Sequence, residues 1–404
     1  MPSSTSSSDG RLVPASYLRI WTLGACLLLV MLGSSEALWR RMGYWPNVVD
    51  TKMFWCLNRR RADSAGGKRV LVIAGASRAQ VGIDPAVLQR VFPEFQVVHL
   101  AIEGTSPLAV IRDLAMDEKF DGVILASATV GTLFPFRQGV PRRDKEYVEF
   151  FRNGFRSGAA LEKRANTRLA VFLQSRWVIF SPVLTFRSLL AHRLRPKKLY
   201  QHMDANRFRP AFYRERMTAQ ELGEHRQRRI DRVAVTEKDL VSAAEFERFA
   251  RGDLKQLYGM LRARGGDMVL VRMPTTDEHW ELDEKMAPKA RFWDRIQEWT
   301  GIATIHFLDH PELSRFACPD TSHLDATDAG EFTLRLGRLV HALLADLGHR
   351  PSSFKSRHLS ILPALYNKPP GVVAHTGGRI GHLDGSNALD LLEGLRQELL
   401  QPMS

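Results

Sequence analysis

Residues Arg69–Asp84 read RVLVIAGASRAQVGID. The opening RVLVIA is short, apolar and rich in β-branched residues, and turn-forming residues follow it. That pattern predicts a strand buried on both faces, as in a parallel sheet. The chain then breaks on Gly75, Ala76 and Ser77, with Arg78 at the shoulder of the serine and Gly82 a turn later. Two readings fit the break. Serine is a common helix cap, and small residues favour strand-to-helix turns. Alternatively, the turn aims a serine hydroxyl outward from the end of a core strand.

Downstream the pattern repeats. DPAVLQRVFP predicts a helix, with Asp84 as cap and Pro85 at the first helical position. FQVVHLAIEG is a second strand closing on Gly104, SPLAVIRDLAMDE a helix, and FDGVILAS a third strand. Strands alternating with helices at this spacing imply crossovers and a parallel sheet, an α/β fold. The rhythm stops near Pro135. Residues 135–240 are rich in Arg, Phe and Leu and predict a helical insertion that packs on the core, covers a cleft or lies on a membrane. It resumes with DMVLVRMP and ATIHFLD, then a polar loop, CPDTSHLD, before a long helix marked by Phe332, Leu336, Leu339, Leu343 and Leu347. Residues 67–348 thus form the α/β domain, and 349–404 a Pro/Gly-broken tail ending in a possible helix, ALDLLEGLRQELL.

Upstream, residues 1–14 are a polar, Ser-rich leader of disordered character. Residues 15–39 hold an apolar run flanked by Arg19 and by Arg40 and Arg41, with Trp21, Trp39 and Tyr44 near its ends. Its length suits a transmembrane anchor. A cleaved export signal, with SEA at residues 35–37 as the small-residue site, and a core helix are the other readings. Residues 40–66 read as a juxtamembrane connector. The 404 residues carry a net charge of +13, which suits an anionic surface or polymer. No zinc-finger, basic-zipper or RNA-sheet pattern accompanies the charge, so nucleic acid is not an expected partner. Cys26, Cys56 and Cys318 form no CxxC pair and read as thiols, the last two buried. His306 and His310 have metal-like spacing without a carboxylate cluster, and no metal or cofactor is expected.

Three features fall on the carboxyl edge of one predicted sheet: Ser77, Gly104, and the loop holding Asp320 and His323. A serine hydroxyl needs a base, a neutral imidazole serves, and a carboxylate fixes the imidazole's tautomer. Backbone N–H groups at Ser77 and Gly104 would face the oxyanion. Arg78 is either a substrate-positioning group or a structural ion pair.

With GASRAQVGID, AIEGTSP and DTSHLD as its blocks, the chain resembles the SGNH (GDSL-type) hydrolase superfamily. The run from EALWRRMGYWPNVVD to GASRAQVGIDP looks like its membrane-anchored bacterial members. The resemblance covers roughly residues 36–134 and 245–348. It implies a three-layer, flavodoxin-like parallel sheet with helices on both faces. It also implies Ser77 as nucleophile, His323 as base, Asp320 as orienting acid and Gly104 as oxyanion donor. The implied chemistry is acyl, often acetyl, transfer or ester hydrolysis on an envelope or secreted polysaccharide. The implied setting is the outer side of the inner membrane, with a multi-spanning membrane protein as possible acyl donor. One block departs from the pattern: the Asn expected after the third strand is missing, since ILASATVGTLFP holds none. Ser127 or Thr129 is the candidate substitute. A non-catalytic scaffold or glycan-binding subunit is the alternative reading.

Overall fold

The computed structural model describes residues 15–63, 67–134, 142–155, 157–158, 160–184, 190, 196, 198–232 and 240–347. The leader, the whole C-terminal tail with its possible helix, and parts of the insertion lie outside these residues. Five strands form one sheet: β1 Arg69–Ala74, β2 Phe95–His99, β3 Val123–Ser127, β4 Asp267–Arg272 and β5 Ala303–His306. Their order is β2-β1-β3-β4-β5, and every pairing is parallel. The chain therefore reverses its direction of travel across the sheet between β1 and β3, which opens a crevice beyond their carboxyl ends.

Alternate residues of β1 to β4 enter different apolar clusters. Val70, Val72, Ala74, Ile124, Ala126, Met268 and Leu270 join one, which also takes residues of the helices Leu108–Ala115, Lys255–Arg262 and Trp293–Thr300. Leu71, Ile73, Val123, Leu125, Val269 and Val271 join the other, with residues of the helices Pro85–Val91 and Ala326–Asp346. Period-two side-chain direction forces this division, and burial on both faces is why the strands read as continuous apolar runs.

The segment read as a connector does more than connect. Its Lys52–Arg61 helix is a core element. Trp55 is fully buried and donates from Nε1 to the Leu100 carbonyl at 2.9 Å. Arg59, also fully buried, pairs with Asp113 at 2.6 Å and Asp117 at 2.7 Å, and with Asp63. The N-terminal apolar run forms one helix, Ala15–Arg41. Over Tyr17–Arg41 it is long and apolar enough to cross a membrane, and its most apolar window is not buried against the rest of the chain. It is not placed as a core helix. The described insertion is helical over Arg143–Asn153, Ala160–Arg176, Tyr213–Arg216 and Ala219–Arg232.

Candidate active site

β1 delivers the chain to the crevice, and Gly75 makes the turn there. Its φ is +146°. A Cβ at this position would lie 2.9 Å from the Ala79 Cβ and 3.0 Å from both the Cβ and the carbonyl oxygen of Ser127. Only glycine fits so tight a passage between β1 and β3. Ser77 begins the helix Ser77–Gly82, and the cap position is Ala76. Serine therefore does not cap this helix, contrary to the bland reading of the turn. Its Oγ contacts His323 Nε2 at 2.8 Å instead. The first intrahelical bond runs from the Gln80 N–H to the Ala76 carbonyl, so the N–H groups of Ser77, Arg78 and Ala79 lie outside the helical ladder. Gly82 ends the helix against the residue after β4 and the one after His323, where a Cβ would meet Met273 Cε at 2.8 Å and Leu324 Cδ1 at 3.3 Å.

The Asp320–His323 loop is organised by its own carboxylate. Asp320 Oδ1 accepts from the Ser322 and His323 N–H groups at 3.0 and 2.7 Å. Its Oδ2 accepts from His323 Nδ1 at 2.8 Å. Thr321 adopts φ +71°, a left-handed conformation that is rare for a β-branched residue. Three partners hold it there. Its hydroxyl donates to the Asp320 carbonyl at 2.6 Å and meets His279 Nδ1 at 2.6 Å, while its carbonyl accepts from the Thr276 N–H just beyond β4. Asp325 then caps the long helix Ala326–Asp346.

Burial alone would raise the Asp320 pKa, but His323, His225 and Arg229 hold it well below the usual carboxylate range. Burial lowers the pKa of His323. Asp320 opposes that, and Arg229 and Arg78 push in the same direction as burial. The imidazole is therefore neutral at pH 7, with Nδ1–H committed to Asp320 and the Nε2 lone pair toward the Ser77 hydroxyl. That is the protonation state of a general base.

The sequence reading missed the insertion's part in this site. Tyr213, fully buried, donates its hydroxyl to Asp320 Oδ2 at 2.8 Å. Arg229 Nε stands 3.2 Å and His225 Nε2 3.7 Å from the same oxygen. The one available signal was the spacing of His225 and Arg229, which puts both on one helical face. The insertion also braces the nucleophile's helix. The Arg209 N–H bonds the Gln80 carbonyl at 2.8 Å, and Tyr213 packs with Val81 and Ala211. Gln80 Nε2 donates to Asp50, whose carboxylate is held by the buried Arg207 at 2.9 Å.

The remaining predicted residues are placed as follows. The Ile102 N–H bonds the Gly75 carbonyl at 3.0 Å, which brings the loop after β2 alongside the serine turn. Gly104 follows there, exposed, with φ +68° and open space where a Cβ would stand. Arg78 donates from Nε to the Ser322 hydroxyl at 3.1 Å and lies 3.5 Å from Asp283, so it braces the acid–base loop against the helix Asp277–Met286. Thr129 spends its hydroxyl in a capping box with Thr132, and Ser127 is buried behind Gly75. His306 is buried and stacked on Phe307, and among the described residues no group of His, Cys, Asp and Glu is placed to hold a metal ion. Cys56 and Cys318 are buried free thiols, and Cys26 is exposed on the N-terminal helix. Compared with known proteins, the chain matches no family model, no curated protein and no solved structure.

Proposed function

We propose that the chain is a membrane-tethered serine acyl-hydrolase or acyltransferase of the SGNH type, its sheet being the centre of that family's three-layer domain. The observation that carries this reading is the hydrogen-bonded series Ser77 Oγ to His323 Nε2 and His323 Nδ1 to Asp320 Oδ2, each 2.8 Å. Its position beyond β1, at the sheet's switch point, supports it further. Ser77 Oγ attacks the acyl carbon while its proton passes to His323 Nε2. The N–H groups at Ser77 and Gly104 receive the oxyanion. The imidazolium, stabilised by Asp320, returns the proton to the leaving oxygen, and the acyl group stays on Ser77. Water, or a sugar hydroxyl deprotonated by the same imidazole, resolves the ester. The N-terminal helix and the net charge of +13 favour an envelope or secreted polysaccharide as acceptor at the outer face of the inner membrane. A multi-spanning membrane protein would then be the acyl donor.

One observation favours a second reading, a non-catalytic scaffold or glycan-binding subunit. The Asn donor is missing after β3, and Thr129 is occupied by its own helix cap. Loss of one oxyanion donor costs about a hundredfold or more in rate. The test is burst-phase release from an activated acetyl ester by the full chain in detergent, beside Ser77→Ala and His323→Ala. A stoichiometric burst in the parent, absent from both variants, is expected. A folded parent without a burst overturns the enzyme reading in favour of the scaffold.

A further inference from the structure

Between Arg19 and Glu36 the N-terminal helix has 16 uncharged residues. At a rise of about 1.5 Å per residue they span about 24 Å, less than the ~30 Å thickness of a bilayer's hydrocarbon core. If this helix crosses a membrane, Glu36 sits at the edge of the hydrocarbon. A carboxylate at that depth must be satisfied by the protein.

Glu36 is satisfied, and by the insertion. Its Oε1 and Oε2 accept from the Val178 and Ile179 N–H groups, each at 3.0 Å. Arg40 Nε bonds the same carboxylate at 2.6 Å, and its Nη2 bonds the Arg176 carbonyl at 2.6 Å. Trp39, Met42 and Tyr44 pack with Val178 and Leu184 below. The turn at residues 177–180 is thus fixed at the depth of Glu36. The side chains it leaves uncovered are large and apolar: Trp177 is 36% and Phe180 42% exposed. Arg176 precedes them, exposed and stacked over Phe172 at 4.1 Å, and Arg41, also exposed, follows Arg40 at the end of the N-terminal helix. Aromatic rings beside arginines at the hydrocarbon edge are what an interfacial layer of anionic phospholipid accommodates.

We infer that the Trp177–Phe180 turn is a second membrane contact, seated in the phospholipid interface beside the helix Ala15–Arg41. The contact stops the domain from swivelling on a single helix and sets its tilt relative to the bilayer. It rests on the reading of Tyr17–Arg41 as a membrane span, and is independent of the reaction proposed at Ser77.

The test places nitroxides on the full chain in vesicles of phosphatidylethanolamine and phosphatidylglycerol. A Cys26→Ala background removes the exposed thiol, and single cysteines are introduced as Phe180→Cys, Leu28→Cys and Glu298→Cys. The label at 28 reports the span and the label at 298 reports water. The label at 180 is expected to collide more often with dissolved oxygen than with a water-soluble nickel chelate, as at 28 and unlike at 298. If 28 reads as lipid and 180 as water, the second contact is overturned while the span stands. Shielding of 180 from both reagents means a protein covers the turn, which also overturns it. If 28 itself reads as water, the inference falls with the span.

Discussion

Removing one positive charge from the insertion should move the pH dependence of the proposed reaction. Arg229 Nε and His323 Nδ1 both contact Asp320 Oδ2, at 3.2 and 2.8 Å, so the two nitrogens are at most about 6 Å apart. A guanidinium at that distance opposes protonation of the imidazole by about 3 kcal/mol at an effective dielectric of ~20, and by about 0.7 kcal/mol at that of water. Arg229 is 26% exposed, so its effect falls between those two limits. Arg229→Gln should therefore raise the pKa of His323 toward its ordinary value of 6.5. The acidic limb of kcat/KM against pH moves to higher pH, with a loss of activity below both pKa values. Above the limb the imidazole is neutral in both proteins, and Asp320 keeps its bonds from His323, Tyr213 and two backbone N–H groups. The alkaline plateau should change little. The limb is read with an activated ester, and a histidine NMR titration reads the same pKa without any turnover. A limb that stays fixed, or moves to lower pH, would refute the electrostatic role given to Arg229.

Two further outcomes concern stability. Burial holds His99, His202 and His306 neutral with pKa values of about 3, and His279 at about 4. Each folded value lies below the unfolded 6.5, so the unfolded chain binds more protons, and stability present above pH 6.5 is lost as pH falls toward the folded values. At pH 5 the loss is about 2 kcal/mol per histidine, together on the order of 8 kcal/mol. That rivals the stability of a typical domain. Denaturant midpoints measured at pH 7.5 and 5 should differ sharply, and equal midpoints would contradict this burial. Gly75→Ala puts a methyl group 2.9–3.0 Å from Ala79 and Ser127 at φ +146°. It should cost about 3 kcal/mol or more. Because the nearest obstacle includes backbone, the serine turn must shift, and the acyl burst should fall further than stability alone explains. A variant as stable and active as the parent would show that the turn relaxes freely.

The sheet could be read from the sequence because its signals are local. A strand buried on both faces announces itself in six residues. Asp84 before Pro85 behaves as its spacing predicts, accepting the Ala86 N–H at 2.7 Å. Ser106 accepts the Leu108 N–H at 3.0 Å. Boundaries drift where the ladder outlasts regular strand: FQVVHLAIEG narrows to Phe95–His99, yet the Leu100 and Ile102 N–H groups go on bonding β1 and its turn. Ser77, Asp320 and His323 could be singled out because each ends an element or occupies a short loop. The arginines are another matter. Arg59 bonds Asp113, Arg207 bonds Asp50, and Arg229 faces Asp320, all across long separations with no period to betray them. Read as composition, they suggested a basic surface. In the fold, part of that charge is spent on internal carboxylates.

That expenditure changes what the insertion is. A cover over a finished site would touch the substrate side of the triad and could be removed without disturbing it. Here the insertion reaches the carboxylate behind the histidine through Tyr213 and Arg229. It reaches the serine helix through Arg209 and the Arg207–Asp50–Gln80 series. It reaches the Gly104 loop through the Arg209–Glu103 pair at 2.8 Å. Each contact falls on a different member of the constellation, so the insertion completes the site's electrostatics and its geometry together. The same segment bonds Glu36 and Arg40 at the foot of the apolar helix. A force on that foot has a bonded route to Asp320 that does not pass through the sheet. The sheet supplies the serine, and the insertion, through Arg229, adds to the burial that keeps the imidazole behind it neutral.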